Sequence, residues 1–232
     1  MKVILPLLLL SLTATVVRAE IPATYYSRPI FSDDFSTDGF GKRWGHYKSS
    51  SVVKDGVLVG ITAETSDHPA VDNVVIDPER DLEVSVKFKY TSDKAKGFNV
   101  WFDDKNYKGS HAGHICSVVV YPTSVVVSDA KTGRFMNEIH TQSQTKEGLT
   151  AEQKKLLLTK TKAFPVQLTR QEWHTLVSRT KGDEVEVLID GKAVGSFKGE
   201  GIGHDSKTLV SLTTYGVDVQ YDDFSIKAAA KP

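Results

Sequence analysis

The sequence predicts an all-β fold, two antiparallel sheets packed as a jelly-roll sandwich, with one short inserted helix near 150–162. Three observations predict it. Apolar and polar residues alternate with a period of two along most of the chain. Asp-Gly pairs separate apolar runs, as hairpin turns require. Helix signals are confined to one segment after Thr150, and no blade-length repeat supports a propeller.

The first element is an export signal. Lys2 precedes an unbroken apolar run, Val3 to Leu12, and Val17-Arg18-Ala19 supplies the small residues of a cleavage site. The run is shorter than the roughly 20 residues that a spanning helix needs. Cleavage is therefore expected after Ala19, leaving residues 20–232 as one sandwich domain, periplasmic or extracellular, with no later membrane segment. Lys plus Arg equal Asp plus Glu at 29 each, with no basic stripe, which argues against a nucleic-acid partner. The single cysteine, Cys116, lies in an apolar run and reads as a small buried hydrophobe, so the fold must hold without a disulfide.

The strands follow from the alternation, roughly fourteen in all. Leu82, Val84, Val86, Phe88 and Tyr90 share one face, opposite Glu83, Ser85, Lys87 and Lys89. Val185, Val187 and Ile189 repeat the pattern against Glu184 and Glu186, which are expected on a solvated face. Asp55-Gly56 and Asp190-Gly191 read as type I′ turns. His114 to Asp129 reads as a hairpin turning at Pro122-Thr123-Ser124; its apolar arms predict a central position with both faces covered. Val219 and Tyr221 alternate out of phase with Phe224 and Ile226, and a bulge at Asp222-Asp223 would bring all four to one face. Thr150-Ala151-Glu152-Gln153 has the form of a capping box and starts a surface helix running to about Lys162. Trp44 and Trp173 read as structural, the latter plugging an edge of the sandwich.

Chemistry-bearing residues are few. His111-Ala112-Gly113-His114 offers two imidazoles near Asp103 and Asp104, a candidate acid/base group. If His114 keeps phase with Cys116 and Val118, it is instead a half-buried, hydrogen-bonded histidine. Asn99, Trp101 and Asp103 form a sugar platform if they face outward, and Trp101 is core packing if they face inward; periodicity does not choose. A retaining glycosidase needs two carboxylates about 5–5.5 Å apart. Glu184-Val185-Glu186 is the only Glu-x-Glu, and the Glu-x-Asp-x-Glu strand of jelly-roll glucanases is missing, which argues against their mechanism. Asp33-Asp34 and Asp222-Asp223 could together hold a structural Ca²⁺, but backbone-bonded turn residues are the commoner outcome, and neither metal nor cofactor is expected.

A series of phrases runs the length of the chain: Phe31-Ser32-Asp33-Asp34-Phe35, Trp44, Lys54-Asp55-Gly56-Val57-Leu58, His111-Ala112-Gly113-His114 with Ser128-Asp129, and Phe164-Pro165-Val166-Gln167-Leu168. It continues through Trp173-His174, Gly182-Asp183-Glu184, Ile189-Asp190-Gly191-Lys192, Glu200-Gly201-Ile202-Gly203-His204 and Lys207 to Tyr221-Asp222-Asp223-Phe224. In order and spacing it resembles the 3-keto-disaccharide hydrolase domains, which have the concanavalin A-like lectin/glucanase jelly roll. The resemblance implies a carbohydrate ligand and hydrolysis of 3-keto-disaccharides or related glycosides; the alternative is a non-catalytic carbohydrate-binding or surface interaction module. The candidate catalytic residues are His111, His114, Asp103 and Asp104, and the candidate sugar-binding residues are Asn99, Trp101, Tyr107, His204 and Lys207.

Overall fold

The computed structural model describes residues 21–231; the export signal expected over 1–19 lies outside them. The strands are β1 (Arg28–Asp33), β2 (Trp44–Tyr47), β3 (Val52–Lys54), β4 (Val57–Gly60), β5 (Ala70–Glu79), β6 (Leu82–Tyr90), β7 (Ala95–Asp103) and β8 (His114–Tyr121). Then come β9 (Ser124–Asp129), helices α1 (Asn137–Ser143) and α2 (Ala151–Thr159), and β10 (Thr161–Pro165). The chain closes with β11 (His174–Lys181), β12 (Glu184–Ile189), β13 (Lys192–Lys198), β14 (Lys207–Gly216) and β15 (Val219–Ala228).

These strands form two antiparallel sheets. The first has the order β13-β12-β11-β6-β15-β4-β3, with β1 also paired to β15; the second is β10-β9-β8-β7-β14-β5-β2. The inner faces meet as the alternation predicts. Val84, Val86 and Phe88 from one sheet and Phe98, Val100, Phe102, Cys116, Val118 and Val210 from the other are fully buried in one core. Two buried tyrosines carry their hydroxyls across it. Tyr90 donates to the Val120 carbonyl at 2.8 Å, and the Tyr221 hydroxyl bonds Thr214 Oγ1 at 2.8 Å.

Turn chemistry and phase changes fall where the sequence puts them. Asp55 and Gly56, and Asp190 and Gly191, all have positive φ, the conformation that two-residue hairpins require. The last strand shifts register between Asp222 and Ser225, and Tyr221, Phe224 and Ile226 all face the core. Asp33 has a local role: its carboxylate accepts the Phe35 N–H and the Trp44 indole N–H, both at 2.8 Å. The Trp44 ring packs among Phe31, Phe35, Phe40 and Phe224, as a structural residue.

Five expectations need correction. α2 has the capping box of Thr150 and Gln153 but stops at Thr159, because Thr161 to Pro165 pair with β9 as an edge strand. α1 was not anticipated: its N-cap is Met136, which gives no side-chain cap. Trp173 does not plug an edge; it is 40% exposed under the Lys89 ammonium, while the neighbouring His174 turns inward to Asp190 and the Thr169 carbonyl. The β8–β9 hairpin is paired on both sides but is not central, and its outer face is only partly covered, with Tyr121 exposed. Glu186 is not solvated, and neither is Glu83. Both are buried around Arg179, beneath residues 21–26. Arg179 donates to Glu83 Oε2 at 2.8 Å and to the Ile21 carbonyl at 2.9 Å, and lies 3.4 Å from Glu186 Oε2. Alternation shows which face is polar; it does not show that another segment covers it.

Two outcomes are expected. Burial pushes the Cys116 thiol up to about 12, so the native protein should be inert to thiol reagents and react only after denaturant is added. Arg179→Ala removes the cation that Glu83 and Glu186 share, leaving Lys227 at 3.3 Å as the cation on Glu83, and should lower the unfolding free energy by about 3 kcal/mol in urea titrations.

Candidate functional site

The second sheet turns polar residues away from the core in register. One row is Tyr47, Val71, Thr213, Asn99 and Val119, on β2, β5, β14, β7 and β8. The next is Gly45, Asn73, Ser211, Trp101 and Ser117. A third brings Leu209, Asp103 and His114 together. A cleft of about 570 Å³ lies over these rows, walled by Tyr47, His68, Trp101, His111, His114 and Phe135.

His114 reaches this face because of a bulge. Phe102 pairs with Cys116, but Asp103 pairs with His114, so Ile115 is an extra residue in β8. Ile115 is buried in the core beside Cys116. The phase reversal moves His114 to the opposite face from Cys116, where simple alternation would not place it. There its Nδ1 lies 2.8 Å from Asp103 Oδ1, and its ring stacks on Trp101 at 4.1 Å and 25°. Phe135 meets both rings edge-on, at 5.2 and 4.7 Å. With Nδ1 occupied, His114 Nε2 is the nitrogen left to the cleft; among the described residues nothing bonds it. Asp103 is only 2% exposed. Burial raises its pKa by more than the hydrogen bonds from His114 and the Ile115 N–H lower it.

Asn99, Trp101 and Asp103 therefore face outward, which resolves the two readings of β7. Yet Trp101 is only 9% exposed and lies under His114, so its ring holds the imidazole in place more than it offers an open platform. Asn99, 1% exposed, is 3.4 Å from the Tyr215 hydroxyl through Nδ2.

His111 stands at the rim on a tight turn, with positive φ at Ala112 and Gly113. A Cβ at Gly113 would come within 2.1 Å of the Asp104 carbonyl oxygen, so this turn requires glycine. His111 stacks face to face on His140 of α1 at 3.9 Å and 9°. His140 and Phe135 lie in the segment after β9, and no motif in the sequence marks them. His140 is absent from the predicted set because α1 itself carries no capping signal.

The remaining candidates gather elsewhere. Asp104 follows the end of β7 and bonds His204 Nε2 at 3.0 Å instead of His111 or His114. Thr208 Oγ1–H donates to its other oxygen at 3.1 Å. Burial opposes its charge, but these bonds and the Asn106 N–H outweigh it and hold the carboxyl below its ordinary value. Tyr107 packs against His204, and Lys131 lies 3.2 Å from His204 Nδ1. Lys207 is fully buried, its ammonium donating to the carbonyls of Arg80, Ile202 and His204, so it is a strut inside the fold. Asn99, Tyr107, His204, Lys207 and Asp104 are not part of the cleft lining. Among the described residues, no three His, Cys, Asp or Glu side chains converge to hold a metal ion. No helix among them is long and apolar enough to cross a membrane.

No family model matches this chain, and no curated protein does. Solved structures do. A non-specific endo-β-1,3(4)-glucanase of family GH16, SCLam, is similar with a TM-score of 0.61 at 12% identity, over 93% of this chain and 95% of that one. The fold is a jelly roll. A sialidase is similar over 90% of this chain with a TM-score of 0.60 and 12% identity, but the chain spans only 19% of its length. The carbohydrate recognition domain of Emp47p has a TM-score of 0.51 and 10% identity, over 89% of this chain and 95% of that one. At such identities the likeness is one of fold, and the chemistry must be argued from the cleft.

The histidine pair makes one outcome testable without a ligand. Burial lowers both His111 and His140 from the ordinary 6.5, and neighbouring positive charge adds to it, from His140, His114 and His68 on the first and Arg134 and His114 on the second. With folded values depressed, the unfolded chain binds more protons in the window just below about 6.5. Stability should fall as pH drops through that window. His140→Phe, which keeps a stacked ring without a proton site, should show a smaller loss in thermal melts between pH 7 and 5.

Proposed function

We propose that this chain is an exported carbohydrate-active protein that takes a disaccharide or related glycoside into the cleft and cleaves 3-keto forms of it. The single observation that carries the reading is the Asp103–His114 pair at the floor of that cleft, 2.8 Å apart and stacked on Trp101. The export signal read in residues 1–19 and the phrase-by-phrase resemblance to 3-keto-disaccharide hydrolase domains support it. So does the presence of glucanases and a carbohydrate recognition domain among proteins of the same fold.

The chemistry follows from what the cleft contains. Asp103 is the one carboxylate in its lining, so the two-carboxylate route of retaining and inverting glycosidases has no second partner. A single oriented imidazole suits proton abstraction next to a carbonyl. In a 3-keto-glycoside, the C2–H lies beside the C3 ketone and is acidified by it. His114 Nε2 takes that proton, the C–H electron pair forms the enolate, and collapse of the enolate breaks the C1–O bond. The departing oxygen takes a proton from the imidazolium, giving an alcohol and an unsaturated ketone. Water added across the new C1=C2 bond completes a net hydrolysis. Asp103 holds Nδ1–H throughout and fixes the tautomer.

The test is turnover of a 3-keto-disaccharide beside its unoxidised parent. Cleavage of the keto sugar alone is expected, with kcat falling about 10²–10⁴-fold in His114→Ala and substantially in Asp103→Asn, while both variants remain folded by circular dichroism. Binding of either sugar without turnover would establish the non-catalytic binding module instead. No binding of either would end the carbohydrate reading.

A further inference from the structure

We propose that Tyr47 and His68 form the subsite for the second sugar unit, the one that leaves, on the wall of the cleft opposite β8. The inference rests on the carbohydrate role proposed above and adds the residues that select for a second unit. Trp101, the aromatic residue that the sequence offers most plainly, is covered by His114. Tyr47 is different. It is 54% exposed at the end of β2, and His68 braces its ring nearly at right angles, 5.2 Å between centroids. Both residues line the same cleft as His114. An exposed ring at the wall of a cleft presents the flat apolar face on which the C–H side of a sugar packs.

The ground between the two walls carries an unpartnered polar atom among apolar neighbours. Tyr47, Val71, Thr213 and Asn99 stand in one register row. Four inter-strand steps separate β2 from β8, about 19 Å, too wide for a single pyranose ring to touch both walls. Within that row Thr213 Oγ1 and Asn99 Oδ1 are buried and have no hydrogen-bond partner among the described residues. Thr213 is 4% exposed and lines the cleft; Asn99, 1% exposed, neighbours it in the row but is outside the lining. Buried polar atoms left without partners are costly, and a hydroxyl group of a bound sugar would supply what Thr213 lacks. Beside Tyr47, Gly45 has no side chain; a Cβ there would come within 2.7 Å of Asn73 Oδ1, so the next row stays open at this wall. A linked pair of rings fits this layout, the oxidised ring against His114 and its neighbour with its C–H face on Tyr47.

The experiment compares 3-keto-maltose, oxidised on its non-reducing ring, with methyl 3-keto-α-glucoside, which has no second ring. The quantity read is the ratio of their kcat/KM values. Tyr47→Ala should lower this ratio about tenfold, and Tyr47→Phe should restore it, because stacking needs the ring and not the hydroxyl. Trp173→Ala, which removes an exposed aromatic residue from the other sheet, should leave the ratio at its wild-type value. A ratio unchanged in Tyr47→Ala, or lowered equally in Trp173→Ala, overturns the subsite. If the wild-type protein turns over neither keto sugar, the catalytic reading fails separately, and calorimetry with maltose and methyl α-glucoside then decides the subsite. A loss of maltose affinity in Tyr47→Ala that exceeds the loss for the methyl glucoside supports it, while equal losses or no binding of either sugar overturn it.

Discussion

The two sheets of this protein must bury their inner faces on each other, because no disulfide holds the chain together. Its single cysteine is in the core, so stability comes from packing of alternate residues on long antiparallel strands. That constraint assigns every strand residue to one of two sides. Core positions go to Val, Phe, Leu and Tyr, and chemistry is left to the outer faces and the strand ends. The cleft lies on an outer face for this reason: the inner face of β7 is occupied by Phe98, Val100 and Phe102, and only Asn99, Trp101 and Asp103 are left to turn outward.

The candidate site then depends on a departure from that rule. The extra residue at Ile115 reverses the phase of β8 for one position and delivers His114 to the side of Asp103. Without the reversal, His114 would face the core beside Cys116, where a charged imidazole would cost several kcal/mol unless it were paired. The same departure builds the last strand, where the irregularity at Asp222-Asp223 keeps Phe224 and Ile226 in the core. One bulge preserves burial, and the other preserves it while releasing a polar residue to the surface.

The two outer faces are used differently. The first sheet's outer face is covered in part by the segment from Ile21 to Tyr26, with Arg179 clamped between Glu83 and Glu186 and the Tyr26 hydroxyl donating to the Thr180 carbonyl at 2.9 Å. The second sheet's outer face is left open across β2, β5, β14, β7 and β8, and the loops that rise beside it bring in His68, His111 and Phe135. Covering part of one face and leaving the other open gives the sandwich a broad cleft in which aromatic rings surround Asp103 and His114.

Much of the fold was legible in the sequence because its signals are local. Period-two alternation, the Asp-Gly turns at 55–56 and 190–191, the capping box at Thr150 and the phase slip near Asp222 each depend on residues within a few positions of one another. The nearness of His111 and His114 to Trp101 and Asp103 is also local, a matter of about ten residues along the chain. The remaining facts depend on long-range contacts. That Asp103 meets His114 while Asp104 meets His204, a hundred residues later in the chain, is set by which way each side chain points at the end of β7. That Lys207 is an internal strut, that His140 stacks on His111, and that Tyr47 shares a cleft with His114 follow from strand order and loop packing. A sequence states the face a residue occupies; only the assembled sheets decide what stands opposite it.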